Sequence, residues 1–158
     1  MPLTTGCNHI ALLTPDLDRL IAFYTSVFEA EVTMDLSEGP LRYALLDFGG
    51  GFQLHPFQVT GGTDQDQGSM TMFQRGHIDH FALNAPDDET FQELRRRLVE
   101  AGATEGRVRD FGVVSLIAFS DPDGMECELA IWREGAPLTM AQSKTQDYTA
   151  STSTSTST

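Results

Sequence analysis

Long apolar runs are missing from this 158-residue chain, and Met1 to Gly6 has neither the basic start nor the apolar middle of a leader. A bilayer crossing takes about 20 consecutive apolar residues, so no membrane span is expected, and the expected location is cytoplasmic. Cations are scarce: 10 Lys and Arg against 23 Asp and Glu leave a formal charge of −13 and a pI near 4.4. Nucleic-acid binders present clustered Lys and Arg to phosphates, so nucleic acid and anionic membrane are excluded as expected partners. Cysteine is nearly absent as well. Cys7 and Cys127 stand far apart, without metal-finger spacing, and read as reduced thiols with no catalytic role.

What is present is ordinary globular composition, 40% hydrophobic, and an internal repeat. Asn8-His9-Ile10-Ala11-Leu12 reappears as Asp79-His80-Phe81-Ala82-Leu83, and each copy runs into a proline, Pro15 and Pro86, at the same offset of 71 residues. In the first copy a short apolar strand leads to a helix with Thr14 as N-cap and Pro15 in its first turn. Leu17, Leu20, Ile21, Tyr24, Val27 and Phe28 fall on one helical face. Strands are predicted at 32–35, 41–48 and 51–57, with turns at Ser37-Glu38-Gly39-Pro40 and Gly49-Gly50.

In the second copy Phe91, Leu94, Leu98 and Val99 supply the helix face. Arg95-Arg96-Arg97 read as mainly outward and solvated, and Gly102 ends the helix. Strands follow at 104–109, 113–119 and 125–132, the last after the turn Asp121-Pro122-Asp123-Gly124. The order β-α-β-β-β thus occurs twice. The expected domain plan is a first module at 1–57, a linker loop at 58–76, a second module at 77–133, and a Ser/Thr-rich tail at 134–158 too poor in apolar residues to pack. The expected class is α+β: two paired βαβββ modules forming a U-shaped mixed sheet around a cavity, helices on the outer face.

Side chains alternate along a strand, so parity tells which residues oppose the helix. If Ile10, Leu12, Phe81, Leu83, Cys127 and Leu129 pack toward the helices, then His9, His80, Glu126 and Glu128 turn inward, with Gln53 and His55 from the first module; His77 has the wrong parity. Singly, each of these is an ordinary polar strand residue. Together, imidazoles and carboxylates with open positions suit a divalent metal ion: Fe, Mn, Ni, Co or Zn.

These motifs, with Phe23-Tyr24 and Phe28 on the helix and Asp121 through Leu129 near the end, resemble the vicinal oxygen chelate superfamily over about residues 7–132. That superfamily includes glyoxalase I, methylmalonyl-CoA epimerase, extradiol dioxygenases, fosfomycin-resistance transferases and bleomycin-binding proteins. The resemblance implies His9, His80 and Glu128 as metal ligands, with Gln53 as the fourth from the end of the first module and His55 as its alternative. A Gln there departs from the Glu common in glyoxalase I. The resemblance also implies a homodimer, with modules paired within or between chains.

The implied chemistry is chelation of a small molecule through adjacent oxygens, with the metal as Lewis acid. The leading expectation is a glyoxalase-like lyase or isomerase, in which Glu128, Glu126 and His55 are the candidate catalytic residues. An Fe(II) extradiol-type dioxygenase is the alternative, weakened because no tyrosine stands at 113–119. A bleomycin-resistance-type binding protein is another, although such members commonly lose the ligand residues. A fosfomycin transferase would need convergent cations, and the orientation of Arg42, Arg107 and Arg109 is not fixed by the pattern.

Overall fold

The computed structural model describes residues 7–59, 78, 80–133 and 144–149. Chain order is β1 (His9–Leu13), α1 (Leu17–Phe28), β2 (Glu31–Glu38), β3 (Leu41–Asp47), β4 (Gln53–Val59), β5 (Phe81–Asn84), α2 (Asp88–Glu100), β6 (Val108–Asp110), β7 (Val114–Ser120), β8 (Glu126–Trp132) and β9 (Lys144–Gln146). The α+β class and the twice-repeated βαβββ order are therefore present. The strands form a four-stranded sheet, β1-β4-β3-β2, and a five-stranded one, β5-β8-β7-β6-β9. No described helix is long and apolar enough to cross a membrane.

The chain divides into two compact units, Met1–Phe81 with Ser120–Glu126, and Ala82–Phe119 with Cys127–Thr158. In the first unit α1 packs on β2, β3 and β4. Leu17, Leu20 and Tyr24 on α1, with Ala44, Leu46 and Leu54 on the strands, are wholly buried, and each large side chain so placed contributes about 1.5–3 kcal/mol.

The helix cap differs from expectation. Asp16, not Thr14, is the N-cap, its carboxylate accepting from Arg19 N at 3.0 Å, while Thr14 Oγ1 accepts from Asp16 N. A carboxylate reaches the N3 amide and also lies at the positive end of the helix dipole. Gln58 adds a second clamp, accepting from Leu17 N and donating to the Pro15 carbonyl. Asp87 caps α2 in the same way, accepting from Thr90 N at 2.8 Å, so the 71-residue offset extends to the caps. The α1 end falls on Glu29 at φ 57 and the α2 end is followed by Gly102 at φ 70.

The turn before β8 belongs to the first unit. Buried Tyr24 donates its hydroxyl to Asp121 Oδ2 at 3.1 Å, and Arg19 pairs with Asp123. Asp121 Oδ1 accepts from Asp123 N and Met125 N. Burial pushes the Asp121 carboxyl above its ordinary range, against the pull of these hydrogen bonds.

In the second unit Phe91, Leu98, Ile117, Cys127 and Leu129 form the core. Two expectations are corrected there. Arg95 is buried rather than outward, 7% exposed; its Nε donates to the Gly106 carbonyl at 2.7 Å, a second nitrogen donates to the Gln146 carbonyl, and the guanidinium lies over the Tyr148 ring. Within the stretch assigned to an unpacked tail, Lys144–Gln146 pair antiparallel with β6. The pairing uses backbone groups, which need no apolar side chain. Residues 134–143 and 150–158 of that tail, and residues 60–76 of the predicted linker, lie outside the described residues. Gln58 and Val59 themselves extend β4, Val59 opposite Leu41.

Candidate functional site

The first sheet orders its polar residues by parity. Leu54 and Pro56 of β4 are buried toward α1, which leaves Gln53, His55 and Phe57 on the opposite face. In β1, His9, Ala11 and Leu13 are exposed while Ile10 and Leu12 are half-buried. β1 and β4 run parallel with His9 opposite Gln53 and Ala11 opposite His55. His9 and His55 therefore meet edge to face, ring centroids 5.6 Å apart, with Gln53 beside them.

The electrostatics of the pair follow from its neighbours. His9 Nδ1 bonds Asn8 Oδ1 at 2.8 Å; with the proton on Nδ1 for that bond, the lone pair sits on Nε2. Burial, then repulsion from His9, pushes the His55 imidazole below its ordinary range. Its Nε2 is buried with no hydrogen-bond partner, a cost of about 1–3 kcal/mol that marks a position awaiting a donor or an ion. Tyr43 and Phe57 flank it, centroids 5.8 and 4.2 Å from the His55 ring, and stack on each other at 5.5 Å. Sequence reasoning had not singled out these two aromatics, although the parity that placed His55 also places them.

Of the other sequence-derived candidates, His80 is exposed just before β5. Glu126 and Glu128 are half-buried on β8, alternating with the buried Cys127 and Leu129. Glu126 Oε1 accepts from Ser120 Oγ at 3.1 Å. Among the described residues no group of three or more His, Cys, Asp or Glu is gathered to hold a metal ion. The donors that are together, two imidazoles and a side-chain amide, have the chemistry of a borderline divalent ion's ligands.

Twin βαβββ modules with polar residues facing away from the helices define a fold class, and comparison with known proteins places the chain within it. Residues 6–129 match the glyoxalase/bleomycin resistance protein/dioxygenase superfamily, and the chain belongs to that superfamily. A search of curated proteins found no match. Among solved structures, a glyoxylase/bleomycin resistance protein/dioxygenase domain from Frankia sp. superposes with a TM-score of 0.66 at 23% identity, covering 84% of this chain and 95% of that one. Lactoylglutathione lyase from Agrobacterium tumefaciens gives 0.56 at 20% identity, covering 82% and 96%. The fosfomycin resistance protein FosX of Listeria monocytogenes gives 0.57 at 23% identity, covering 84% and 97%. At these identities the likeness is one of fold.

Proposed function

We propose that this chain is a metal-dependent enzyme acting on a small molecule with adjacent oxygens, a lyase or isomerase of the glyoxalase kind. The observation that carries the reading is the row His9, Gln53 and His55, with a buried, partnerless His55 Nε2 at its end. His9, His80, Glu128 and Gln53 are the residues that would hold the ion, one of Fe, Mn, Ni, Co or Zn. Once bound, the ion supplies Lewis-acid polarisation of a substrate carbonyl.

The chain's own residues supply the rest. Asn8 fixes the His9 ring so that Nε2 presents its lone pair. His55 holds a neutral imidazole whose Nε2 takes up a proton from the carbon next to that carbonyl. Glu126 is the second candidate for the proton, its carboxylate steadied by Ser120. The reading includes a homodimer in the cytoplasm; both cysteines are free thiols, as a reducing compartment would keep them.

The test is metal analysis of protein purified without added metal, followed by assay of a hemithioacetal or acyl-CoA with each ion under anaerobiosis. His9→Ala and His80→Ala should lose the ion. His55→Gln and Glu126→Gln should each lower turnover with the ion retained. Full metal content in His9→Ala, or metal loss in both of the latter variants, sinks the assignment. Oxygen consumption with a catechol by the Fe(II)-loaded protein under air would instead select the dioxygenase.

A second reading has its own support. The aromatic trio Tyr43, His55 and Phe57, together with the ungathered donor set, suits a metal-free protein that sequesters an aromatic molecule. Tight drug binding with no bound metal would select it.

A further inference from the structure

We propose that Tyr24 on α1 is a positioning residue for Glu126: through Asp121, its hydroxyl fixes the turn from which β8 begins, and with it the place of the Glu126 carboxylate. The inference rests on the reading that Glu126 carries a proton in the reaction. It adds the group that sets where that carboxylate stands.

The tie starts from a ring held on several sides. Tyr24 is wholly buried, edge to face with Phe23 and Phe48 at centroid distances of 5.1 and 5.4 Å, with Phe28 at 6.0 Å. Close packing of this kind leaves the ring one orientation, so its hydroxyl emerges at one point. At that point stands Oδ2 of buried Asp121, 3.1 Å away. The other oxygen of the same carboxylate accepts from Asp123 N and Met125 N, each at 2.9 Å. The backbone closes the turn beneath it, Asp121 N donating to the Met125 carbonyl at 3.1 Å and Gly124 N to the Asp121 carbonyl at 3.0 Å.

Glu126 follows Met125 directly, so its main chain leaves the turn at a residue that Asp121 grips by both N–H and carbonyl. Its Oε1 accepts from Oγ of Ser120, the residue just before Asp121, at 3.1 Å. Backbone and side chain of Glu126 are thus both referred to Asp121, and Asp121 to α1. The stretch Ser120–Glu126 belongs to the first unit, with α1, His9, Gln53 and His55. Arg19 adds a tie to Asp123, but from a side chain 47% exposed, where an ion pair is worth little.

A buried carboxylate is a costly way to fasten a turn, since the hydrogen bonds it accepts must first offset its desolvation. What it provides over apolar contact is a set distance and angle. Those matter most for a group that moves a proton, because misplacing such a group by about 1 Å can cost up to about 100-fold in rate.

The test compares full-length wild type, Tyr24→Phe, Glu126→Gln and the double variant, at a temperature where all are folded. Without metal and at one pH, the carboxyl-carbon resonance of Glu126, assigned by its loss in Glu126→Gln, should shift in Tyr24→Phe, while that of Glu93 on the outer face of α2 stays put. With metal loaded and its content measured, Tyr24→Phe should lower kcat on a hemithioacetal or acyl-CoA by about threefold to tenfold, the scale of one neutral hydrogen bond, with KM unchanged. In the Glu126→Gln background the same substitution should change kcat by less than about twofold, because the group it acts through is already gone.

An unmoved Glu126 resonance, an equal movement of Glu93, or a Tyr24→Phe loss as large in Glu126→Gln as in wild type would each overturn the proposal. The reading beneath it fails separately. No metal uptake, or full turnover in Glu126→Gln, removes that reading, and the resonance still decides whether Tyr24 sets the place of the carboxylate.

Discussion

Tyr24 on α1 and Arg95 on α2 occupy the same place in the repeat, 71 residues apart, and both are buried. Each spends its polar end on a segment remote in sequence. Tyr24 gives its one hydroxyl to Asp121, in the turn before β8; Arg95 gives several donors to the carbonyls of Gly106 and Gln146, the second on β9. Two copies of one helix thus keep the position and change the chemistry. A buried polar residue in each helix anchors a segment that local sequence would leave adrift, and the number of donors sets how much is anchored.

The largest effect should come from removing the richer anchor. Arg95→Ala leaves the buried Gly106 carbonyl and the partly exposed Gln146 carbonyl without their charged donor, and at about 1.5–3 kcal/mol for a hydrogen bond to a charged group it should cost about 2–4 kcal/mol in urea unfolding. Amides at 144–146 should lose hydrogen-exchange protection; retained protection there would separate β9 from Arg95.

Tyr24→Phe should cost less, about 1–2 kcal/mol, because one neutral donor is lost. It also carries a pH signature. Burial holds the Asp121 carboxyl above the ordinary 3.8, so the folded chain binds that proton more tightly than the unfolded chain does. Stability then falls as pH rises from 3.8 through the folded value. Losing the Tyr24 hydroxyl raises that value further and should widen the falling window in unfolding measured against pH.

The helix ends differ as well. Glu29 holds a left-handed conformation that Gly102 adopts without penalty after α2. Glu29→Gly should stabilise by about 0.5–1 kcal/mol, a small rise in Tm, whereas Gly102→Ala should lower it.

The smallest effect belongs to the outer face of α2. Arg96, then Arg97, holds the Glu93 carboxyl at about 2. Its folded value is depressed, so the contribution is present above the ordinary 4.5 and is lost as pH falls toward 2. Ala22 holds the corresponding place on α1, and Glu93→Gln should flatten only this acid limb.

The repeat, the two helices and the order of strands were legible because periodicity and a constant offset are local properties of sequence. The caps were half legible. Thr14 and Asp16 both suit an N-cap, and only the geometry of reach to the third amide selects Asp16. Arg95 was hidden by its neighbours: in a triplet of arginines the solvated reading is the natural one, yet one member falls on the stripe of Phe91 and Leu98. β9 was invisible because Lys144, Thr145 and Gln146 contribute backbone and little else. At the site, parity gave the face of His9, Gln53 and His55. It fixes a face only, so the grouping of His80 and Glu128 with them rests on elements far apart in the chain.

β9 also has a bearing on how the protein lives in a crowded solution. Unpaired strand edges are templates on which another chain can build. By lying along β6, Lys144–Gln146 occupy that template with a strand of three exposed residues led by a lysine, too short and too charged to recruit a stranger. The four-stranded sheet guards its β2 edge differently, with a bulge between Val32 and Met34 and carboxylates at Glu31, Asp35 and Glu38. A proteolytic cut ahead of residue 144 would therefore free the β6 edge for pairing with another strand, while leaving every residue of the His9 face in place.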